Sequence, residues 1–284
     1  MKKLLVPSLC LASLSSFAAF DTPEAAVAAL AAAEAAGKAP ALAEFLPATY
    51  QKDLTDVIQL FGNKMDPAVW AGATDLLATA GKTLAPKAEF LVGDDVAEAD
   101  RPDRAKSVSN VLTSLSTLMA SDTVKLDNLK TTSSVGLYDA IVSVIMPLAG
   151  QTPADPENFK VVKSEKLESG DVRLTFANDA LVKTFDGDLA AKTIDFRSVE
   201  GCWIPSDMAD GWTESMNSAK EALNGLNFTS TEGQQMKSQL LMALPSLKMG
   251  IQQLGAATSK EDLQQKGAML LMPLMMLGGG NIGL

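Results

Sequence analysis

Apolar residues recur at helical spacing through most of this chain. Leu54, Val57, Ile58, Phe61 and Met65 fall on one face, and Asp66-Pro67 then opens a helix carrying Trp70, Ala73 and Leu77. Two strongly periodic runs follow, Val108 to Met119 and Val135 to Leu148, the second stopped by Pro147 and Gly150. In the first run the hydroxyl residues Ser107, Ser109, Thr113, Ser114, Ser116 and Thr117 mark the expected solvent side. Ahead of them Asp21 or Thr22 caps a helix with Pro23 at its first position and Gly37 at its end. Its body is nearly all alanine around Val27 and Leu30, which gives strong helix propensity but little burial per residue.

Beyond Gln151–Asn158, a linker containing Pro153 and Pro156, the period changes from helical to alternating. Val172, Leu174 and Phe176 alternate with Asp171, Arg173 and Thr175, the pattern of a half-buried strand. A strand around Phe159 to Lys166 precedes it through the turn Glu168-Ser169-Gly170. Lys192 to Val199 forms another, and Glu200-Gly201 turns it into Cys202-Trp203-Ile204. The rest is helical again. Ser206 or Asp207 caps a helix to about Leu223, and Thr229 with Glu232 makes a capping box for one carrying Met236, Leu240, Leu244, Leu247, Ile251 and Leu254. Thr258 with Glu261 does the same for a last helix with Leu263, Leu270, Leu274 and Leu277. The expected fold is α+β and mostly helical, with an antiparallel sheet of three or four strands at about 157–204. The expected division is a signal segment at 1–19, a helical region at 20–150, and sheet plus C-terminal helices at 151–284.

Residues 1–19 read as a cleaved export signal: Lys2 and Lys3, an uncharged apolar run from Leu4 to Phe17, then Ser16-Phe17-Ala18 with small residues at the cleavage positions. Leu9 before Cys10 is not the small residue that lipidation requires, so the expectation is a periplasmic or secreted protein without a lipid anchor. The 284 residues carry a net charge of −10, and removing the signal takes it to −12. Such acidity with no basic patch argues against nucleic acid as a partner. The processed chain keeps one cysteine, Cys202, so no internal disulfide can form and stability rests on packing. No later segment reaches the roughly 20 apolar residues needed to cross a bilayer.

Two motifs are similar to those of nuclear-transport-factor-2-like, or cystatin-like, domains. One is Thr22-Pro23-Glu24-Ala25-Ala26, leading to Leu46-Pro47. The other is Val199-Glu200-Gly201-Cys202-Trp203-Ile204, which looks like the closing hairpin of such domains. The resemblance covers roughly 21–62 and 157–204. It implies a curved antiparallel sheet around a helix and, in many members, a non-catalytic binding role; no site residue is carried over from it.

The histidine count is zero, which removes the commonest general base and transition-metal ligand. Cys202 therefore lacks an activating imidazole and reads as a buried small hydrophobe. Asp186-Gly187-Asp188 reads as an acidic turn, and Asp94, Asp95, Glu98, Asp100 and Asp103 as a solvated loop. Met269, Met272, Met275 and Met276, with Met236, Met242 and Met249 upstream, form the most unusual cluster: thioethers at this spacing suit core packing, an adaptable partner surface or Cu(I). The four C-terminal methionines are the candidate partner or ligand surface. No cofactor is expected. The favoured expectation is a non-enzymatic exported protein that binds a protein partner or a small apolar ligand through helices. The alternatives are a carboxylate-based hydrolase, or a peripheral envelope protein using its last helix.

Overall fold

The computed structural model describes residues 20–36, 39, 41, 45–94, 96–145, 156–185 and 187–278, with backbone alone at 34, 156, 184 and 270–278. The expected signal at 1–19, Gly37, most of the linker, Asp95, Asp186 and the glycine tail after 278 lie outside the described residues. In chain order the helices and strands are α1 (Pro23–Ala35), α2 (Ala48–Lys64), α3 (Pro67–Leu84), α4 (Ala88–Leu91), α5 (Arg101–Ala120), α6 (Leu126–Leu129), α7 (Ser134–Ile145), β1 (Val161–Lys166), β2 (Val172–Phe176), α8 (Ala180–Thr184), β3 (Thr193–Val199), β4 (Cys202–Pro205), α9 (Ser206–Gly225), α10 (Thr231–Gly255) and α11 (Lys260–Gly278). The fold is α+β and mostly helical, with one four-stranded antiparallel sheet in the order β1-β2-β3-β4. Among the described residues no helix is long and apolar enough to cross a membrane.

The described residues form two compact units, each assembled from two stretches: those within 1–52 with 153–215, and those within 53–152 with 216–284. This differs from the two consecutive regions that the change of period suggests. The reason lies in α1, whose Val27 is buried in one cluster with Leu174, Phe176, Ile194 and Phe196 of the sheet and Leu181 and Val182 of α8. An alanine-rich helix offers few large side chains, and the two it has, Val27 and Leu30, pack on the sheet.

In the first unit the cap of α1 is Thr22, whose Oγ1 accepts the Ala25 N–H at 3.3 Å. The β2–β3 register places Leu174 opposite Ile194 and Val172 opposite Phe196, which puts the apolar set on one face and Arg173, Asp195 and Arg197 on the other. The hairpin turn Glu200-Gly201 has φ of 51° and 81°, the paired positive values of a tight two-residue turn. Cys202 is buried on β4, as expected.

In the second unit α3 lies between α5 and α10. Its Asp66 cap accepts the N–H groups of Ala68 and Val69 at 2.9 and 3.1 Å, and Lys237 of α10 reaches the same carboxylate at 2.7 Å. Gly72 and Gly81, nine residues apart, sit about half a turn out of phase and so face opposite neighbours. A Cβ at Gly72 would lie 2.5 Å from Leu244 of α10; one at Gly81 would lie 2.3 Å from the Leu112 carbonyl oxygen of α5. The close α3–α5 contact corrects the expected solvent face of α5. Ser114 is buried and Ser116 donates to the Ala78 carbonyl at 2.9 Å, whereas Val111 is 65% exposed. Small hydroxyl residues permit the approach that a row of leucines would block. The α10 cap is Ser230, which accepts from Gly233 at 3.1 Å, one residue beyond the expected Thr229; Asn227 takes the Thr229 and Ser230 N–H groups instead.

The helix glycines predict opposite responses to alanine. At Gly81 overpacking against backbone costs about 1–3 kcal/mol, more than the about 1 kcal/mol that helix propensity returns. At Gly211 of α9 a Cβ meets nothing within 4 Å, so only the propensity gain applies. Urea unfolding should show Gly81→Ala less stable than wild type and Gly211→Ala more stable by about 0.5–1 kcal/mol.

Candidate functional site

The second unit carries an apolar groove where α3, α4, α10 and α11 end or begin. Leu254, Ala257 and Leu263 are buried together, with Leu84 and Phe90 packed against them. Leu84, Phe90, Leu254 and Leu263 line a groove of about 520 Å³ that Val92, Gly93, Asp94, Lys260, Gln264 and Gly267 border. Its volume falls in the ~300–1,000 Å³ range of small-molecule sites.

Local chemistry sets the polar edge. Ser259 caps α11 by accepting the Asp262 N–H at 3.2 Å, and Asp262 accepts the Thr258 N–H at 3.0 Å in return. The cap is thus one residue beyond the expected Thr258, and the return bond goes to the residue before it. This start fixes Lys260, Gln264 and Gly267 along one side of the helix, at successive turns. The Lys260 ammonium donates to Asp94 at 2.6 Å and to the Val92 carbonyl at 3.3 Å. Arg101 also approaches Asp94, at 3.5 Å. Lys260 first, then Arg101, holds the Asp94 carboxyl below the usual carboxylate range. Lys87 donates to the carbonyl of Ala257, a residue of the buried cluster beneath the groove, at 2.8 Å.

The first unit has a smaller, polar cleft of about 230 Å³ lined by Arg173, Asp188, Asp195, Thr193, Ser206 and Asp207, with Phe185, Ile194 and Pro205 as its apolar wall. Its carboxylates hold structure. Arg173 clasps Asp195 through two hydrogen bonds of 2.6 and 2.7 Å, and Asp188 accepts the Ala190 and Ala191 N–H groups of a turn. Behind Ser206, Asp171 is 7% exposed and takes both arms of Arg197, at 3.0 and 2.9 Å, with the Ser206 hydroxyl at 3.0 Å. Arg197 continues to Asp210. Arg197 above all, with Ser206, holds the Asp171 carboxyl below its ordinary 3.8, despite the opposing effect of burial. A glycosidic general acid needs the reverse, a carboxyl kept protonated near neutral pH.

Of the four methionines singled out in the sequence, Met269 is 57% exposed and does not border the groove. The side chains of Met272, Met275 and Met276 lie outside the described residues, on the α11 backbone. Met242 and Met249 are 70% and 58% exposed on α10, away from the face that carries Lys237, Leu244 and Lys248 toward α3. The groove residues were missed in the sequence. The one local signal was the one-turn spacing of Lys260 and Gln264 on either side of the buried Leu263. Comparison with protein-family models, with curated proteins and with solved structures finds no match.

The Asp171 cluster makes a pH prediction. A carboxyl whose folded pKa is depressed adds stability at every pH above its unfolded value, and that stability is lost as pH falls through the folded value. Asp171→Asn should cost about 2 kcal/mol at neutral pH, the worth of hydrogen bonds to a charged group when the partner Arg197 stays partly hydrated. Chemical unfolding at a series of pH values should show the gap from wild type constant above about pH 5 and closing below the ordinary 3.8.

Proposed function

We propose that this is a non-enzymatic binding protein that holds a small apolar or amphipathic ligand in the groove of its second unit. The observation that carries the reading is the groove itself, an apolar floor of four side chains with a lysine and a glutamine at its edge. The cleft of the first unit is smaller, and its Arg173 and Asp195 are committed to each other. The resemblance to nuclear-transport-factor-2-like domains covers 21–62 and 157–204, almost all of it in the first unit, and so does not bear on this groove. That resemblance is itself retained as a proposal, supported by α1 packing on an antiparallel sheet that ends in the Val199–Ile204 hairpin.

Gly267 supplies the test. It borders the groove, and a Cβ there meets nothing within 4 Å. Gly267→Trp should therefore fill the groove without disturbing the core. Fluorescence titration with N-phenylnaphthylamine should show binding by wild type, binding reduced at least about tenfold in Gly267→Trp, and a melting temperature no lower than that of wild type. Equal binding by both proteins would remove the groove as the site.

We also infer export, with the ligand met outside the cytoplasm. Support comes from the charge and hydropathy pattern of 1–19 and from Phe20, just past the expected cut. Its carbonyl accepts the Trp203 indole N–H at 3.0 Å, and its ring lies 5.1 Å from that of Phe45. A processed chain would thus begin at a residue built into the first unit. Intact mass of protein recovered from the exported fraction should correspond to a start at Ala19 or Phe20; a mass that includes Met1 would refute processing there.

A further inference from the structure

We propose that the groove selects a long-chain carboxylate, with Lys260 and Gln264 donating to its two head oxygens and Leu84, Phe90, Leu254 and Leu263 holding its chain. This rests on the groove being the binding site and adds the class of ligand. Three observations lead to it. An ammonium has three hydrogens, and Lys260 spends two, on Asp94 and on the Val92 carbonyl. One turn further along α11, Gln264 borders the same groove and its amide makes no hydrogen bond among the described residues. Two unspent donors at this spacing, beside an apolar floor, match a head with two acceptor oxygens joined to a hydrocarbon chain.

The third observation concerns the acids already present. Asp94 is 82% exposed and has two cationic neighbours, Lys260 and Arg101. Giving way to an incoming carboxylate at Lys260 leaves Asp94 beside Arg101. Exposed ion pairs of this kind contribute little, so the exchange costs little. Glu261 is also exposed and feels both Lys260 and Asp94, but it does not border the groove. Gly267 leaves the groove open beyond Gln264, so a chain lying over Leu263 can pass along the helix without meeting a side chain at that turn.

The experiment is displacement of bound N-phenylnaphthylamine from the full chain, below micellar concentrations, by dodecanoate, dodecanol and dodecyltrimethylammonium. Dodecanoate should displace at about tenfold lower concentration than the other two. Lys260→Met and Gln264→Leu should each reduce that advantage without changing displacement by dodecanol, and Lys260→Arg should retain most of it. Melting temperatures of the three variants identify any that fail to fold, and Gln264→Leu, at a position with no hydrogen bond to lose, keeps the test open if Lys260→Met does. Equal displacement by dodecanoate and dodecanol, or preference for the ammonium, would overturn carboxylate selection while leaving an apolar site in place. Absence of probe binding in wild type would instead overturn the groove itself.

Discussion

The close seating of Pro67–Leu84 between two neighbouring helices is the constraint on which the second unit depends. Gly81 lets the α5 backbone come within a distance that leaves no room for a Cβ, and Gly72 gives the Leu244 side chain of α10 its place against α3. Polar pins set the register of these contacts: Lys237 to Asp66, Lys248 to Asp75 at 2.5 Å, and the Trp70 indole to the Val124 carbonyl at 2.7 Å. The pins carry direction more than energy, because several are partly exposed and such pairs are worth at most about 1 kcal/mol. The dispersion gained by close packing supplies the rest. Leu84 is the last residue of α3, so the seating of this one helix also decides where the groove floor lies.

The two units handle charge differently, and this separates their roles. In the first, arginine and aspartate neutralise one another across the sheet face: Arg173 with Asp195, and Arg197 with Asp171 and Asp210. Arg197 reaches carboxylates through Nε and both terminal nitrogens, and Arg173 through Nε and one of them. In the second, Lys260 and Arg101 share a single exposed Asp94, and Gln264 has no partner among the described residues. On the proposed reading, recognition needs groups that are positioned but not consumed, and Lys260 and Gln264 stand next to apolar surface.

The helical and alternating periods located the strands and the longer helices but not the short α4, α6 and α8, because burial on one face imposes a repeat that only a long enough element records. Caps were legible to within a residue. Thr22 and Asp66 are the caps expected, while Ser230 and Ser259 displaced Thr229 and Thr258, since adjacent hydroxyls compete and the chain path decides between them. The serine-rich face of α5 misled for a deeper reason: polarity marks solvent only when bulk is what a contact needs, and here smallness was. The groove was not legible. Leu84, Phe90, Leu254 and Leu263 each look like ordinary core positions, and nothing local distinguishes an apolar residue capped by neighbours from one left at the bottom of an open groove.

The start of the last helix serves the core and the groove edge at once. A helix turns its successive residues through about 100°, so one short stretch can serve both purposes. Leu263 points into the cluster with Leu254 and Ala257, and is buried. Lys260, Gln264 and Gly267, on the adjoining side, border the groove. Met269 faces elsewhere and is exposed. The burial of Leu263 anchors the start of the helix, and that anchoring holds the two donors at a fixed spacing beside the floor. Binding in such a site needs little ordering of side chains beyond Lys260 and Gln264, because the backbone that carries them is already fixed by the core. The packing of α11 and the placement of Lys260 and Gln264 beside the groove are therefore two consequences of one contact.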